Sequence, residues 1–159
     1  MLGHVGFSYV GLSYLVMLFI PNLIWMKNQP VDYDNTQEAR PLLWTERIGQ
    51  IGCFGSVLFF NDYNVIAISI WSFWLLGSLV MMFLYEICWI RYFISERTQK
   101  TFYRSLGWIP VPLASLPVAA FLLLGVYGKV IWLIASAIVL GIGHIGLHVR
   151  HEKNNKISR

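Results

Sequence analysis

The sequence predicts an all-α integral membrane protein: a bundle of five transmembrane helices, N-terminus outside and C-terminus cytoplasmic. Three observations predict it. The 159 residues are 57% hydrophobic, with a mean hydropathy of +0.58. Only 13% are charged, about half of the ~25% typical of a soluble domain. Five apolar runs recur, each near the ~20 residues a helix needs to cross a ~30 Å hydrocarbon core. None alternates as a barrel strand would, so helices are the spanning structure that remains. No polar stretch exceeds about twenty residues, which leaves one membrane domain, 1–159, without a separate soluble one.

The first run covers about 5–25. It lacks a positively charged leader and an A-x-A-like cleavage site, so it reads as a mature helix. Pro21-Asn22 is expected to end it, with Asn22 free to bond across helices. A polar loop over 26–40 contains Asp32-Tyr33-Asp34-Asn35. The second run, about 41–60, turns tightly at 61–64 into the third, about 65–90. A basic loop at 95–106 leads to the fourth, about 107–127. Pro110 and Pro112 fall in its opening turn, where a missing N–H costs little; Pro117 lies inside it and is expected to act as a kink or hinge. A tight turn at 128–129 leads to the fifth, about 130–149, followed by a cytoplasmic tail, 150–159.

Lys and Arg set the orientation. With the N-terminus outside, eleven of the twelve fall in cytoplasmic segments and Lys129 alone lies outside, a strong positive-inside bias. The plasma membrane, crossed several times, is the expected location. Membrane lipids are the expected partners, since a net charge of +4 carried in short membrane loops suits anionic headgroups rather than nucleic acid. A homo-oligomer or a membrane partner protein is also expected, because five helices are few for a transporter. Cys53 and Cys88 lie at depths about 20 Å apart, too far for a disulfide, and read as small buried residues.

The outer turns serve as depth rulers. Counted inward at ~1.5 Å per residue, Glu46, Arg47 and His144 lie about 21–23 Å deep, His148 about 27 Å and Glu86 about 32 Å. Ionisable groups at such depth are costly and usually face protein or water. Adjacent residues do not share a helix face. Glu46 therefore aligns with Gln50 and Cys53 and is expected to face inward, while Arg47 snorkels to the cytoplasmic interface. Glu86 is expected near the inner surface, paired with Arg91 or another basic residue. Gly49, Gly52 and Gly55 read as packing glycines.

His144, His148 and His151 lie within a 60° arc of one helix face at 100° per residue; Gly141 and Ala137 extend that arc as a small-residue pair suited to close packing. Histidines one turn apart can share a metal ion, with Glu46 or Glu86 adding an oxygen. No cofactor is expected otherwise. The bland alternative is that His144 hydrogen-bonds a neighbour such as Glu46 while His148 and His151 sit at the interface.

The sequence has no phosphate-binding glycine loop, no G-x-S-x-G and no H-E-x-x-H. In length and helix count the chain is similar to the tryptophan-rich five-helix translocator family. It lacks that family's Trp-x-Pro-Pro pattern, the nearest stretch being Trp108-Ile109-Pro110-Val111-Pro112, so no residue role carries over. Membrane desaturases need more histidine boxes than this chain has. Three readings follow, in order of support. The first is binding or transport of a small solute or lipid, or proton-coupled transport, at a polar site formed by Glu46, Gln50, His144, His148, Glu86 and Asn22. The second is a non-catalytic subunit or assembly factor. The third is a metal-dependent membrane enzyme using the three histidines of the fifth helix. An enzyme is the less favoured class.

Overall fold

The structure is a computed structural model that describes residues 2–30 and 39–157. The Asp32–Asn35 stretch, the side chains of Lys153 and Lys156, and Arg159 lie outside the described residues. Among the described residues six α-helices follow one another: α1 (Tyr9–Met26), α2 (Arg40–Phe59), α3 (Phe73–Phe93), α4 (Gln99–Phe102), α5 (Pro112–Gly128) and α6 (Ile131–Ile157). Among the described residues there is no strand; two isolated bridges, Val5 with Phe60 and Leu106 with Ile109, pin loops.

Three of the helices are long and apolar enough to cross a membrane: Tyr9–Met26, Ile70–Phe93 and Ile131–Glu152. Their outer faces fit that reading. Leu76, Val80, Phe83, Ile87 and Ile90 alternate at spacings of three and four along α3, and all are exposed. Such a continuous apolar stripe is a liability in water and ordinary against lipid. The Pro112–Gly128 helix is apolar but shorter, and α2 carries Arg40, Glu46 and Arg47.

Several boundaries differ from those the sequence predicts. Pro21 does not end α1. The helix runs on to Met26, because proline removes only one intrahelical bond. Just beyond it the Asn22 side-chain amide donates to the Leu18 carbonyl at 2.7 Å. The third predicted helix starts late, at Phe73, so the turn expected at 61–64 is a longer connection. Its first part is tied to α1: Asn64 accepts from the Tyr9 N–H at 3.0 Å and donates to the Phe7 carbonyl at 3.0 Å. Ser69 and Ser72 then form a capping box over a 3-10 turn, Ile70–Ser72. Counted from Phe73 instead of Val65, Glu86 is about 20 Å along its helix, not 32 Å. The fourth predicted helix also starts late. Val111, left-handed at φ 39°, caps α5, and Pro112 occupies its first turn; Pro110 precedes the helix. The fifth continues past 149 to Ile157.

The N-terminal segment straps one end of the bundle. Asn61 N–H donates to the His4 carbonyl at 3.1 Å, and Gly6 N–H to the Phe59 carbonyl at 2.9 Å. Asp62 accepts from the His4 N–H at 2.6 Å and lies 2.8 Å from the His4 ring. Partial burial pushes the Asp62 carboxyl up, but these bonds and the charge on His4 outweigh it and hold the pKa below the usual carboxylate value. At the same end Trp71 donates to the Tyr127 carbonyl at 3.0 Å, under the Lys129 ammonium.

The most extensive helix contact is α2 against α6. A Cβ at Gly52 would strike Ser136, one at Gly49 would strike the Leu140 backbone, and one at Gly143 would strike the backbone of Glu46. As the numbers fall along α2 they rise along α6, so the pair is antiparallel. Its glycines bring the two backbones together as small residues do in membrane bundles. Gly55, expected to pack, faces open space, and Gly141 instead meets Val118 of α5. On the other side α3 packs on α5 through a buried relay. Tyr14 donates to Ser78 at 2.9 Å, and Ser78 to the Ala120 carbonyl at 2.6 Å. Cys53 and Cys88 are buried and unpaired.

This packing makes a prediction. Gly49→Leu forces α2 away from α6 and costs about 1–3 kcal/mol, read as a lower Tm in detergent. Gly55→Leu, in open space, changes stability by less than about 0.5 kcal/mol. Equal Tm values for the two variants would mean that α2 and α6 do not meet at Gly49.

Candidate functional site

The close approach at Gly49 and Gly143 sets the site. With the backbones in contact, Glu46 on α2 and His144 on α6 face each other, and Glu46 Oε1 lies 2.5 Å from His144 Nδ1. Both side chains are largely buried, 16% and 23% exposed. Gln50, one turn along α2, adds a weaker bond to the same carboxylate oxygen at 3.4 Å. A carboxylate and an imidazole at this distance hold one proton between them, whichever carries it.

The pair opens onto a cavity of about 430 Å³ enclosed by α1, α2, α3, α5, α6 and the turn carrying α4. Its polar groups are Asn22, Glu46, Gln50, Tyr85, Tyr103 and the three histidines of α6; Pro117 and Leu113 form part of the wall. Asn22 donates to the Tyr85 hydroxyl at 2.7 Å, linking α1 to α3 across the cavity. Pro117 has no N–H for the Leu113 carbonyl, so the helix wall there carries an acceptor without its usual intrahelical partner.

Seven sequence-predicted residues thus line one cavity: Asn22, Glu46, Gln50, Pro117, His144, His148 and His151. Glu86 does not. It is half-buried on α3, and one of its carboxylate oxygens is buried without a hydrogen-bond partner. The expected Glu86–Arg91 pair is not formed; Arg91 donates instead to the carbonyls of Arg104 and Ser105 at 2.6 and 3.2 Å. Arg47 is exposed and points away from the site.

The three histidines run along one wall, each against an aromatic or another histidine. His144 and His148 have ring centroids 4.6 Å apart, His148 lies 5.8 Å from Phe102, and His151 stacks on Tyr103 at 6.3 Å. Among the described residues no three His, Cys, Asp or Glu side chains converge as a metal-ligating group.

Phe102 and Tyr103 were not legible as site residues. They come from the basic segment expected to be a plain loop. Thr98 caps a four-residue helix there, its hydroxyl accepting from Thr101 N–H at 3.3 Å. That turn swings Phe102 onto Trp25 at 5.3 Å, closing the histidine end of the cavity. Trp25, Tyr85 and Trp89 complete the aromatic lining. A helical face count along the first and third runs could have grouped Asn22 with Trp25, and Tyr85 with Trp89; nothing local marks Phe102.

On the opposite side the wall thins. Phe19, Leu23 and Met26 of α1 line the cavity and are also exposed on the outer face, with Phe19 touching Phe54 of α2 edge-on at 5.0 Å. The cavity and the protein surface therefore share these apolar side chains of α1.

Comparison with protein-family models, curated proteins and solved structures gives no match.

The short Glu46–His144 contact carries a prediction about coupling. Glu46→Gln and His144→Ala each destabilise the protein, and the double variant falls short of their sum by about 0.5–3 kcal/mol, read from thermal unfolding in one detergent. Additive effects would place the two side chains apart.

Proposed function

We propose that this chain is a plasma-membrane protein crossing the bilayer five times, N-terminus outside, which binds a small solute or lipid-like molecule at the Glu46–His144 site and moves it with proton coupling. The observation that carries this reading is the shared proton position between Glu46 and His144 at the wall of an aromatic cavity. The supporting argument is one of cost. A carboxylate and a bank of histidines held among apolar helices are expensive, and such groups usually serve a pathway.

Five passes are supported by the alternation of the helices and by the basic residues. The ends of α1 and α3 nearest Asn28 and Arg97 are joined, with Arg97 donating to the Asn28 side chain at 3.3 Å. In the sequence, eleven of twelve Lys and Arg fall in the segments that this reading makes cytoplasmic. The cavity then opens in the cytoplasmic half. At 17 residues, α5 spans only about 25 Å, so it crosses where the bilayer thins or its neighbours shield it. A second copy, or a partner membrane protein, would complete a path that one five-helix bundle leaves open toward lipid.

Reporter fusions test the topology. An enzyme active only outside the cell should be active when fused after Asp62 or Lys129 and inactive after Lys100. The reverse pattern would overturn the orientation and the depth of the site together. For function, a thermal-shift screen of lipophilic small molecules should yield ligands whose stabilisation is lost in Glu46→Gln; ligands that stabilise both proteins equally would remove the site from the mechanism.

A further inference from the structure

We propose, resting on the binding reading above, that the cavity selects a lipophilic cation, an amine or quaternary onium with apolar arms, and takes it up in exchange for the proton shared by Glu46 and His144.

The charge of the lining argues for the sign. Glu46 is the one acidic residue in the cavity wall, and among the described residues no Lys or Arg lines it. Gln50 and His144 hydrogen-bond Glu46, and the cavity wall also carries His148 and His151 from α6, Asn22 from α1, Tyr85 from α3 and Tyr103 after α4. All can be neutral, and none is a fixed cation. The nearest fixed cation along the chain, Arg47, is exposed on another face. A phosphate or carboxylate headgroup would thus meet a carboxylate and find no guanidinium or ammonium to receive it. A cation meets one acceptor charge. It also meets a wall of rings, including Trp25, Trp89, Phe102 and Phe121, whose faces attract cations.

The route argues for lipophilicity. Phe19, Leu23 and Met26 form the thin, outward-exposed wall, so the ligand approaches through apolar surface. A strongly hydrated inorganic ion would shed its shell against these side chains with nothing to replace it.

The exchange balances. With a hydrogen on His144 Nε2 and one proton between Nδ1 and Glu46 Oε1, the pair is neutral as a unit, whichever of the two atoms holds that proton. A monocation settling on the carboxylate leaves imidazole neutral and releases that proton, so the occupied cavity is neutral too. No bond other than the shared N–H or O–H breaks. His148 and His151 follow His144 along the α6 wall of the cavity, and give the released proton polar groups to pass.

Full-length protein in lipid nanodiscs, with empty nanodiscs subtracted, tests this with two probes of one shape and opposite sign, tetraphenylphosphonium and tetraphenylborate. The phosphonium should bind saturably, with the borate and the Glu46→Gln variant each weaker by a factor of about ten or more. Calorimetry in two buffers of different ionisation heat should find about one proton released per cation. Borate binding as tight as phosphonium, or unchanged phosphonium binding by Glu46→Gln, overturns the cation reading and leaves the cavity as a neutral-ligand site. Should Glu46→Gln fail to fold, the wild-type proton count decides, and binding without proton release overturns the exchange. Absence of saturable binding for both probes overturns this inference; the binding reading itself then stands or falls on the thermal-shift screen.

Discussion

The antiparallel contact of α2 with α6 is the constraint on which the rest of the molecule depends. It exists because Gly49, Gly52 and Gly143 carry no side chain where the two backbones meet. In lipid the hydrophobic effect does little to join helices, and close backbone packing and polar contacts do it instead. One consequence is that two ionisable side chains on different helices are driven to 2.5 Å. Another is that α1 and α3–α5 must enclose what this tight pair leaves open. The cavity is the remainder of a bundle in which two helices are packed as closely as backbone allows.

The two ends of the bundle carry different contacts. At the end holding His4, Asp62 and Trp71, loops and helix termini are locked by backbone and side-chain hydrogen bonds. At the other end a short helical turn lays Phe102 and Tyr103 against the histidines, and Arg91 and Arg97 tie the same segment to the Arg104 and Ser105 carbonyls and to Asn28.

Much of the site was legible in the sequence because depth and helical face are both periodic. Counting from the turns put Glu46 level with His144, and the 100° rule put His144, His148 and His151 on one wall. Both counts rely on helices whose register is regular, as α2 and α6 are. The count failed for Glu86, because residues 65–72 are as apolar as a helix yet are drawn into a connection by Asn64 and the Ser69–Ser72 cap. Apolarity measures the solvent around a segment rather than its backbone conformation. Pro21 misled for a related reason: within a helix it removes a single bond and need not stop it. The roles of Gly143 and Phe102 were not visible at all. Each depends on a partner distant in the chain, and neither has a periodic signal of its own.

The most direct measurement is a dipolar distance in bilayers between carboxyl-¹³C glutamate and ring-¹⁵N histidine. The contact at the centre of this structure predicts a short Glu46 Cδ to His144 Nδ1 coupling, seen in the wild type and lost in both Glu46→Ala and Gly49→Leu. If no glutamate–histidine coupling is removed by Glu46→Ala, the two helices do not bring these side chains together, and the cavity has no polar centre of the kind described.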